Sequence, residues 1–382
     1  MRERDRLLNK EAWHRPWIRR VEHLFKRLSF GVVGSILRPP QVSAPLSLDN
    51  VNSVLILRYD ALGDLVLTTP ILRILKSRKP SLTIGVAGSK KNLDLIRADP
   101  DVDDTYSFIQ KSNEDMWSEI KRARTVKWDL IINLVYNDKT RAAIIAWLID
   151  PHAVRATAVR EPLAQYRNIY SIVAQRPALR PPTPMLEQAL LTLTAALDLH
   201  IEPDEMHSSL KLDHAIVHEV NTQVTRLLKV ASTSRIVHIN TTSSEEFREW
   251  GYDNAWELSQ RLTDQLADVE AIWTGSPERV SELRQFFESH NHPRITFFET
   301  PTPTHLASLI GEVELVISPD TSVVHIASAQ RKPIVGLYME ANEFLPYGVP
   351  NIVLMPTKDQ PLKTISVESV LKATTTLLTK TH

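Results

Sequence analysis

The 382-residue chain contains no cysteine. Disulfides, thiolate catalysis and cysteine-ligated zinc or iron are therefore excluded. Glycine is scarce, at 10 residues. Neither a G-x-G-x-x-G loop nor a Walker loop occurs, so the usual sequence signs of dinucleotide and P-loop nucleotide binding are missing. No G-x-S-x-G elbow suggests a hydrolase. Charge of one sign is not in excess, because 45 Lys and Arg balance 45 Asp and Glu. No global field draws the chain to nucleic acid, and no nucleic-acid partner is expected. No apolar run reaches the roughly 18–20 residues that a membrane span needs. Charged residues interrupt the first 27 positions, which does not fit a secretory signal. A cytoplasmic location is the expectation that follows.

What is present begins with a distinct N-terminal segment. Met1 to Arg38 holds ten Lys or Arg against four Asp or Glu. Trp13, Trp17, Val21, Leu24, Phe25 and Leu28 recur at spacings of three and four, which puts them on one helical face. Arg19, Arg20, Lys26 and Arg27 lie elsewhere around the helix. An aromatic stripe beside basic residues suits an anionic membrane surface. It equally suits a helix docked on its own domain with the basic residues solvated, and both readings stay open. Pro39, Pro40 and Pro45 then mark a linker.

From Val51 onward, short apolar runs alternate with amphipathic segments. Strands are expected at Val54–Leu57, Leu82–Ala87, Thr105–Phe108, Leu130–Val135 and Val154–Val159. Helices are expected between them, at Leu65–Lys76, Asn92–Ala98, Met116–Arg124 and Arg141–Leu148. Pro177, Pro181, Pro182 and Pro184 make a second break, followed by a helix at Met185–Leu197. A second alternating unit has strands at Arg235–Asn240, Val269–Trp273, Ile295–Phe298, Leu315–Ile317, Ile334–Tyr338 and Ile352–Met355. Its helices are expected at Ala255–Leu266, Pro277–His290, Thr304–Ile310, Val323–Gln330 and Val367–Leu378. Alternating strands and helices imply a parallel sheet covered on both faces. Two such units predict an α/β protein of two doubly wound lobes with a ligand in the cleft between them.

Four strand-exit segments carry the candidate chemistry. The first holds Arg58, Gly63 and Asp64, between an apolar strand and a helix. Asp64 is read either as a helix N-cap or, with Thr69-Pro70 starting the helix later, as a free carboxylate in an extended turn. The second is Ser318-Pro-Asp-Thr-Ser-Val-Val-His-Ile-Ala327. Asp320, Thr321 and Ser322 open a helix with His325 in its first turn, where free N–H groups and the macrodipole suit a diphosphate. Plain capping by Asp320 or Thr321 is the structural alternative. The third, Asn240-Thr-Thr-Ser-Ser-Glu-Glu-Phe-Arg-Glu-Trp-Gly251, offers the hydroxyls of Thr241 and Thr242. Its Arg248 suits bidentate contact with a diphosphate, unless the loop is merely solvated and Trp250 tucked into the core. The fourth, Trp273-Thr-Gly-Ser-Pro-Glu278, has Gly275 at a strand-to-helix turn, where backbone can approach a ligand. His290 and His292 lack a third ligand at metal-site spacing, so no metal is expected.

Arg58-Tyr-Asp-Ala-Leu-Gly-Asp-Leu-Val-Leu-Thr-Thr-Pro70 resembles the opening motif of glycosyltransferase family 9, the lipopolysaccharide heptosyltransferases. Ala98-Asp-Pro-Asp-Val-Asp103 and Trp128-Asp-Leu-Ile-Ile132 are similar to further first-lobe segments. The Ser318–Ala327 run, with Lys332-Pro-Ile-Val-Gly-Leu337, looks like the family's donor motif. The likeness extends from about Val51 to the C-terminus. It implies a GT-B fold: two Rossmann-like lobes facing a central cleft, here preceded by the basic amphipathic helix. Residues 1–50 would form the N-terminal extension, 51–200 the acceptor lobe and 201–382 the nucleotide-sugar donor lobe.

The resemblance further implies inverting, metal-independent transfer of a sugar, typically heptose from ADP-heptose, with no cofactor. The acceptor would be a lipopolysaccharide core or related lipid-linked glycan at the inner face of the inner membrane, with residues 1–38 on the anionic surface. Asp64 takes the position of the family's proposed catalytic base, with Arg58 and Gly63 on the acceptor side. Asp320 takes the position of the donor-motif acid, with Thr321, Ser322 and His325 beside it, and Arg248 stands where lysine is more usual. Ser322 replaces a common glycine, and the loop before Trp250 is longer than usual. Two other functions remain open: a nucleotide-sugar 2-epimerase, which needs no acceptor, and a non-catalytic nucleotide-sugar-binding protein in which Asp64 is only a cap.

Overall fold

The computed structural model describes residues 34–109, 113–178, 181–227 and 234–380. Two six-stranded, wholly parallel sheets organise the chain. The first comprises β1 (Ser53–Leu57), β2 (Thr83–Ser89), β3 (Asp104–Ile109), β4 (Leu130–Asn133), β5 (Val154–Val159) and β6 (Ile172–Gln175), in the order β3-β2-β1-β4-β5-β6. The second comprises β7 (Arg235–Asn240), β8 (Val269–Thr274), β9 (Ile295–Phe297), β10 (Leu315–Pro319), β11 (Ile334–Leu337) and β12 (Asn351–Leu354), in the order β12-β11-β10-β7-β8-β9. Counted from its own first strand, each lobe has the same order. Each therefore reverses winding at one seam, β1 against β4 and β7 against β10. Ligands of open α/β sheets bind outside the carboxyl ends of the strands at such seams.

The central strands are buried on both faces, which is why they read as unbroken apolar runs. Every residue of β1 is buried. Each large aliphatic side chain there contributes about 1.5–3 kcal/mol relative to exposure. Val54 and Ile56 point into one core with Leu65, Ile71 and Ile84, whereas Leu55 and Leu57 face Tyr106, Phe108 and Trp128. In the second lobe, Val237 and Ile239 pack with Trp273, Leu258 and the C-terminal helix Val367–Lys380.

The expected strands occur, several with ends shifted by one or two residues. Two elements escape the sequence pattern. One is β6, a four-residue edge strand too short to show a period. The other is the helix His214–Leu227, whose β-branched stripe buries only Val220 and Val224 fully. The helical stripe expected from Trp13 to Leu28 lies outside the described residues, which begin with a helical turn at 34–37. That turn is anchored on the first lobe, with Leu37 buried and its carbonyl accepting from Arg155 Nη2 at 2.6 Å. No described helix is long and apolar enough to cross a membrane.

His238 on β7 is fully buried, with Nε2 2.8 Å from Thr274 Oγ1. Burial lowers its pKa from 6.5 to about 3. The folded state thus holds the ring neutral while the unfolded chain protonates below pH 6.5. Stability is complete above 6.5 and falls with pH down to about 3, by up to about 1.4 kcal/mol per pH unit. Substituting His238→Gln should remove this component. Thermal melts from pH 7.5 to 4.5 should show the stability gap between wild type and variant shrinking as pH falls; a constant gap would contradict a neutral buried ring.

Candidate active site

The β1 exit is built around a buried guanidinium. Arg58 is only 1 % exposed. Its Nε donates to the Asp64 carbonyl at 3.0 Å, its Nη2 to Asp64 Oδ1 at 3.1 Å and its Nη1 to Asp60 Oδ2 at 3.2 Å and to the Leu134 carbonyl. Asn92 Nδ2 braces the same turn through the carbonyls of Arg58, Asp60 and Ala61. This wrapping decides the conformation of Asp64, and it corrects both readings of that residue. Asp64 is neither an N-cap nor part of an extended turn. It is the third residue of a short helix, Leu62–Val66, whose N-cap is Ala61. A second helix, Thr69–Arg78, follows with Pro70 in its first turn. The single helix expected from Leu65 is thus two, separated at Leu67–Thr68.

Burial alone would lower the Arg58 pKa, but Asp64 and Asp60 outweigh it and hold it above its ordinary value. Asp60 is pushed up to about 6, first by burial, with Arg58 opposing and Asp64 adding.

In the second lobe, Asn240 at the end of β7 is the node. Its Nδ2 donates to the Thr242 carbonyl, Ser318 Oγ and Thr321 Oγ1, each at 3.1 Å. It thereby joins the β7 and β10 exits across the seam. Thr321 is the N-cap of the helix Ser322–Ala329, and its hydroxyl accepts from Val323 N. Asp320 leaves capping to Thr321; its Oδ2 accepts from Asn342 Nδ2 at 3.0 Å and lies 4.0 Å from Arg248 Nη1. Arg248 is 40 % exposed. Trp250 is buried and donates to the Ile365 carbonyl. Thr241 and Thr242 are buried and spend their hydroxyls on the Thr274 carbonyl and Ser276 N. The space above the Gly275 α-carbon is filled by Leu283 and Thr242, so there glycine permits close packing of its own loop.

The two groups of residues meet across the cleft. A Cβ on Gly63 would lie 2.6 Å from His325 Cδ2 and 3.4 Å from the Ser322 α-carbon. Arg58, Gly63 and Asp64 are thereby brought against Ser322 and His325, with Asp320 and Thr321 at the same helix start. His325 is buried, which lowers its pKa, while Asp64 and Asp320 pull it back up.

Two further contacts close the lobes. Thr304 N and Oγ1 donate to Asp94 Oδ2 at 2.9 and 2.6 Å. Glu343 of the second lobe accepts from Arg160 and from Gln188 Nε2, with Arg176 3.6 Å away. Arg160, Arg176, Asn240, Asn342 and Glu343 escape the sequence reading, since their pairing is tertiary, and Asp60 escapes it because sharing of the Arg58 guanidinium two residues away leaves no mark on the sequence pattern. Only the strand-end positions of Asn240 and Asp60 hinted at a site. Among the described residues, no group of three or more His, Asp or Glu side chains is arranged to hold a metal ion.

Two matched doubly wound lobes with their seams facing one cleft define the GT-B fold, and the chain is a glycosyltransferase. The model of glycosyltransferase family 9 (heptosyltransferase) matches residues 116–372, and the chain belongs to that family. It is 23 % identical over 327 residues to lipopolysaccharide heptosyltransferase 3 of Escherichia coli, covering 78 % of this chain and 89 % of that protein. The crystal structure of a family 9 glycosyl transferase from Veillonella parvula superimposes with TM-score 0.71 at 20 % identity, over 88 % of this chain and 100 % of that one. The E. coli ADP-heptose lipopolysaccharide heptosyltransferase II does so with TM-score 0.69 at 17 % identity, over 86 % and 99 %.

Gly63 sits inside a helix, where alanine would normally gain about 1 kcal/mol. Its contact with the buried His325 ring reverses that preference. Gly63→Ala should force the lobes apart, raising the radius of gyration in small-angle scattering, and Gly63→Ala with His325→Ala should restore it. An unchanged radius in Gly63→Ala would show that the ring yields instead.

Proposed function

We propose that the protein transfers heptose from ADP-heptose to a lipopolysaccharide core or related cell-surface glycan, with inversion and without a metal. The observation that carries this reading is the approach of Gly63 to His325. It brings the turn that carries Asp64 to the Ser322–Ala329 helix, so that in this reading a base and an anion site would share one cleft. In this reading the first lobe, residues 51–200, takes the acceptor, and residues 201–382 hold the donor. Heptosyl transfer is supported by family membership and by the relatives named above as lipopolysaccharide and ADP-heptose enzymes.

Asp64 accepts the proton of an acceptor hydroxyl as that oxygen bonds to the anomeric carbon. The bond from that carbon to the diphosphate oxygen breaks, and ADP leaves. A single displacement through an oxocarbenium-like state inverts the centre, as in other glycosyl chemistry. Negative charge gathers on the leaving diphosphate, where the helix start at Thr321–Val323 and the half-exposed Arg248 offset it by preorganised electrostatics. Asp320, held by Asn342, lies 4.0 Å from Arg248 and in this reading draws that guanidinium toward the donor. Thr241, Thr242 and Gly275 shape the donor loops from within.

General-base assistance is worth ~10²–10⁴-fold. Asp64→Asn should cut turnover by at least that lower figure while ADP-heptose binding, followed by calorimetry, changes less than threefold (about 0.6 kcal/mol). Mass spectrometry of a truncated lipopolysaccharide acceptor after incubation with ADP-heptose tests the reaction itself; ADP-heptose left unconsumed with every heptose-accepting core would defeat the reading.

The basic segment before residue 34 fits an acceptor embedded in the inner membrane. Removing residues 1–33 should reduce cosedimentation with phosphatidylglycerol vesicles and leave transfer to a water-soluble acceptor intact. Equal cosedimentation would assign that segment to docking on the protein.

A further inference from the structure

Asp60 and Asp64 engage the two terminal nitrogens of one buried guanidinium. One positive charge is shared by two carboxylates. Asp60 Oδ1 is buried and has no hydrogen-bond partner among the described residues. A residue present only to anchor Arg58 does not require a second carboxylate with one oxygen idle, because the Leu134 and Asp64 carbonyls already accept from the same group.

We propose that Asp60 is a positioning residue for the transfer: by drawing part of the Arg58 charge to itself it leaves Asp64 able to take a proton, and its own protonation switches that ability off. This rests on Asp64 being the base.

With both carboxylates ionised, the triad carries one net negative charge. When Asp60 takes a proton, Arg58 faces Asp64 alone, and the guanidinium charge is no longer divided between two carboxylates. The other groups around Asp60 keep one charge state through the neutral range or act on it indirectly. Tyr59 and Tyr136 are both raised above their ordinary values, chiefly by burial, and stay protonated. Asp138 and Arg141 act on Tyr59 with opposite signs. His325, from the other lobe, faces Asp64 and is held neutral by burial. Asp60, raised to about 6, is the member of the cluster that changes charge close to neutrality.

The test is the pH dependence of kcat/KM for ADP-heptose in wild type, Asp60→Asn and Asp60→Glu. Wild type should lose activity below about pH 6. Asp60→Asn should move that acid limb down by at least half a pH unit and lower the plateau about three- to tenfold, as a weaker base would. Asp60→Glu should restore the limb. Superimposed limbs in wild type and Asp60→Asn overturn the proposal.

A raised carboxyl pKa means that ionised Asp60 works against folding above its unfolded value near 3.8. The melting temperature of Asp60→Asn at pH 7.5 should therefore be no lower than that of wild type. A lower melting temperature with an unmoved limb would make Asp60 structural.

Carbon-13 NMR of the aspartate carboxyls gives a readout that needs no transfer. The Asp60 midpoint near 6 should fall in Asp64→Asn, because coupling between two sites is reciprocal. An unmoved midpoint overturns the proposal. A shifted midpoint in a protein that transfers nothing would sink the heptosyl reading while leaving the coupling standing.

Discussion

A guanidinium with its charge and donors taken out of water is tolerated only if nearly all of them are met. Arg58 meets this demand with backbone and side chain of one turn, plus the Leu134 carbonyl from the neighbouring seam strand's exit. The consequence is geometric. Nε and Nη2 hold one residue by its carbonyl and its carboxylate, so Asp64 is fixed at two points and the helix Leu62–Val66 is folded back over the end of β1. Without that clamp, nothing in the sequence Ala61-Leu-Gly-Asp-Leu would prefer a five-residue helix over continuing into the next one. The cation therefore sets the shape of the turn, the direction of the Asp64 carboxylate, and the approach of Gly63 to the other lobe.

The cleft is a product of two lobes, and the contacts across it differ in kind. Gly63 against His325 is steric and short-ranged. Asp94 with Thr304 is a set of charge-assisted hydrogen bonds at a helix start, where the dipole favours a carboxylate. Glu343 joins the Arg160 and Arg176 side chains and, through its carbonyl, accepts from Met185 N. Such polar contacts are easily exchanged for water. Beside them an apolar cluster runs from Leu62, Leu65 and Val66 of the first lobe to Val323, Val324 and Ile326 of the second, so the helices Leu62–Val66 and Ser322–Ala329 form the firmer part of the contact.

Much of this was legible in the chain. β1 announces itself because a strand buried on both faces has to be an unbroken apolar run, and the strand-exit loops follow from where such runs stop. That each half is a doubly wound unit follows from the alternation of strands and helices, whereas the strand order and its seam come only with the structure. What stayed hidden was every feature fixed by contact between distant residues. Asp60 looks like an ordinary turn aspartate until Arg58 is seen to be shared. Arg160 and Glu343 are 183 positions apart. The break at Leu67–Thr68 could not be read because Leu65 and Leu72 keep helical spacing across it; the interruption comes from Arg58 and from the Thr68 hydroxyl turning back to the Asp64 carbonyl.

The serine at position 322 bears on how the cleft tolerates change. Steric relief at the meeting of the two helices is supplied from the first lobe: it is the missing Cβ of Gly63 that makes room for the His325 ring and the Ser322 α-carbon. Ser322 itself is only partly buried, and its side chain is not what limits the approach. Under the proposed function, a side chain at the first helical position would add a hydroxyl donor beside the N–H groups that face the donor phosphate, without changing how the lobes close. Closure would then rest with Gly63 and donor recognition with position 322, two residues of the same contact.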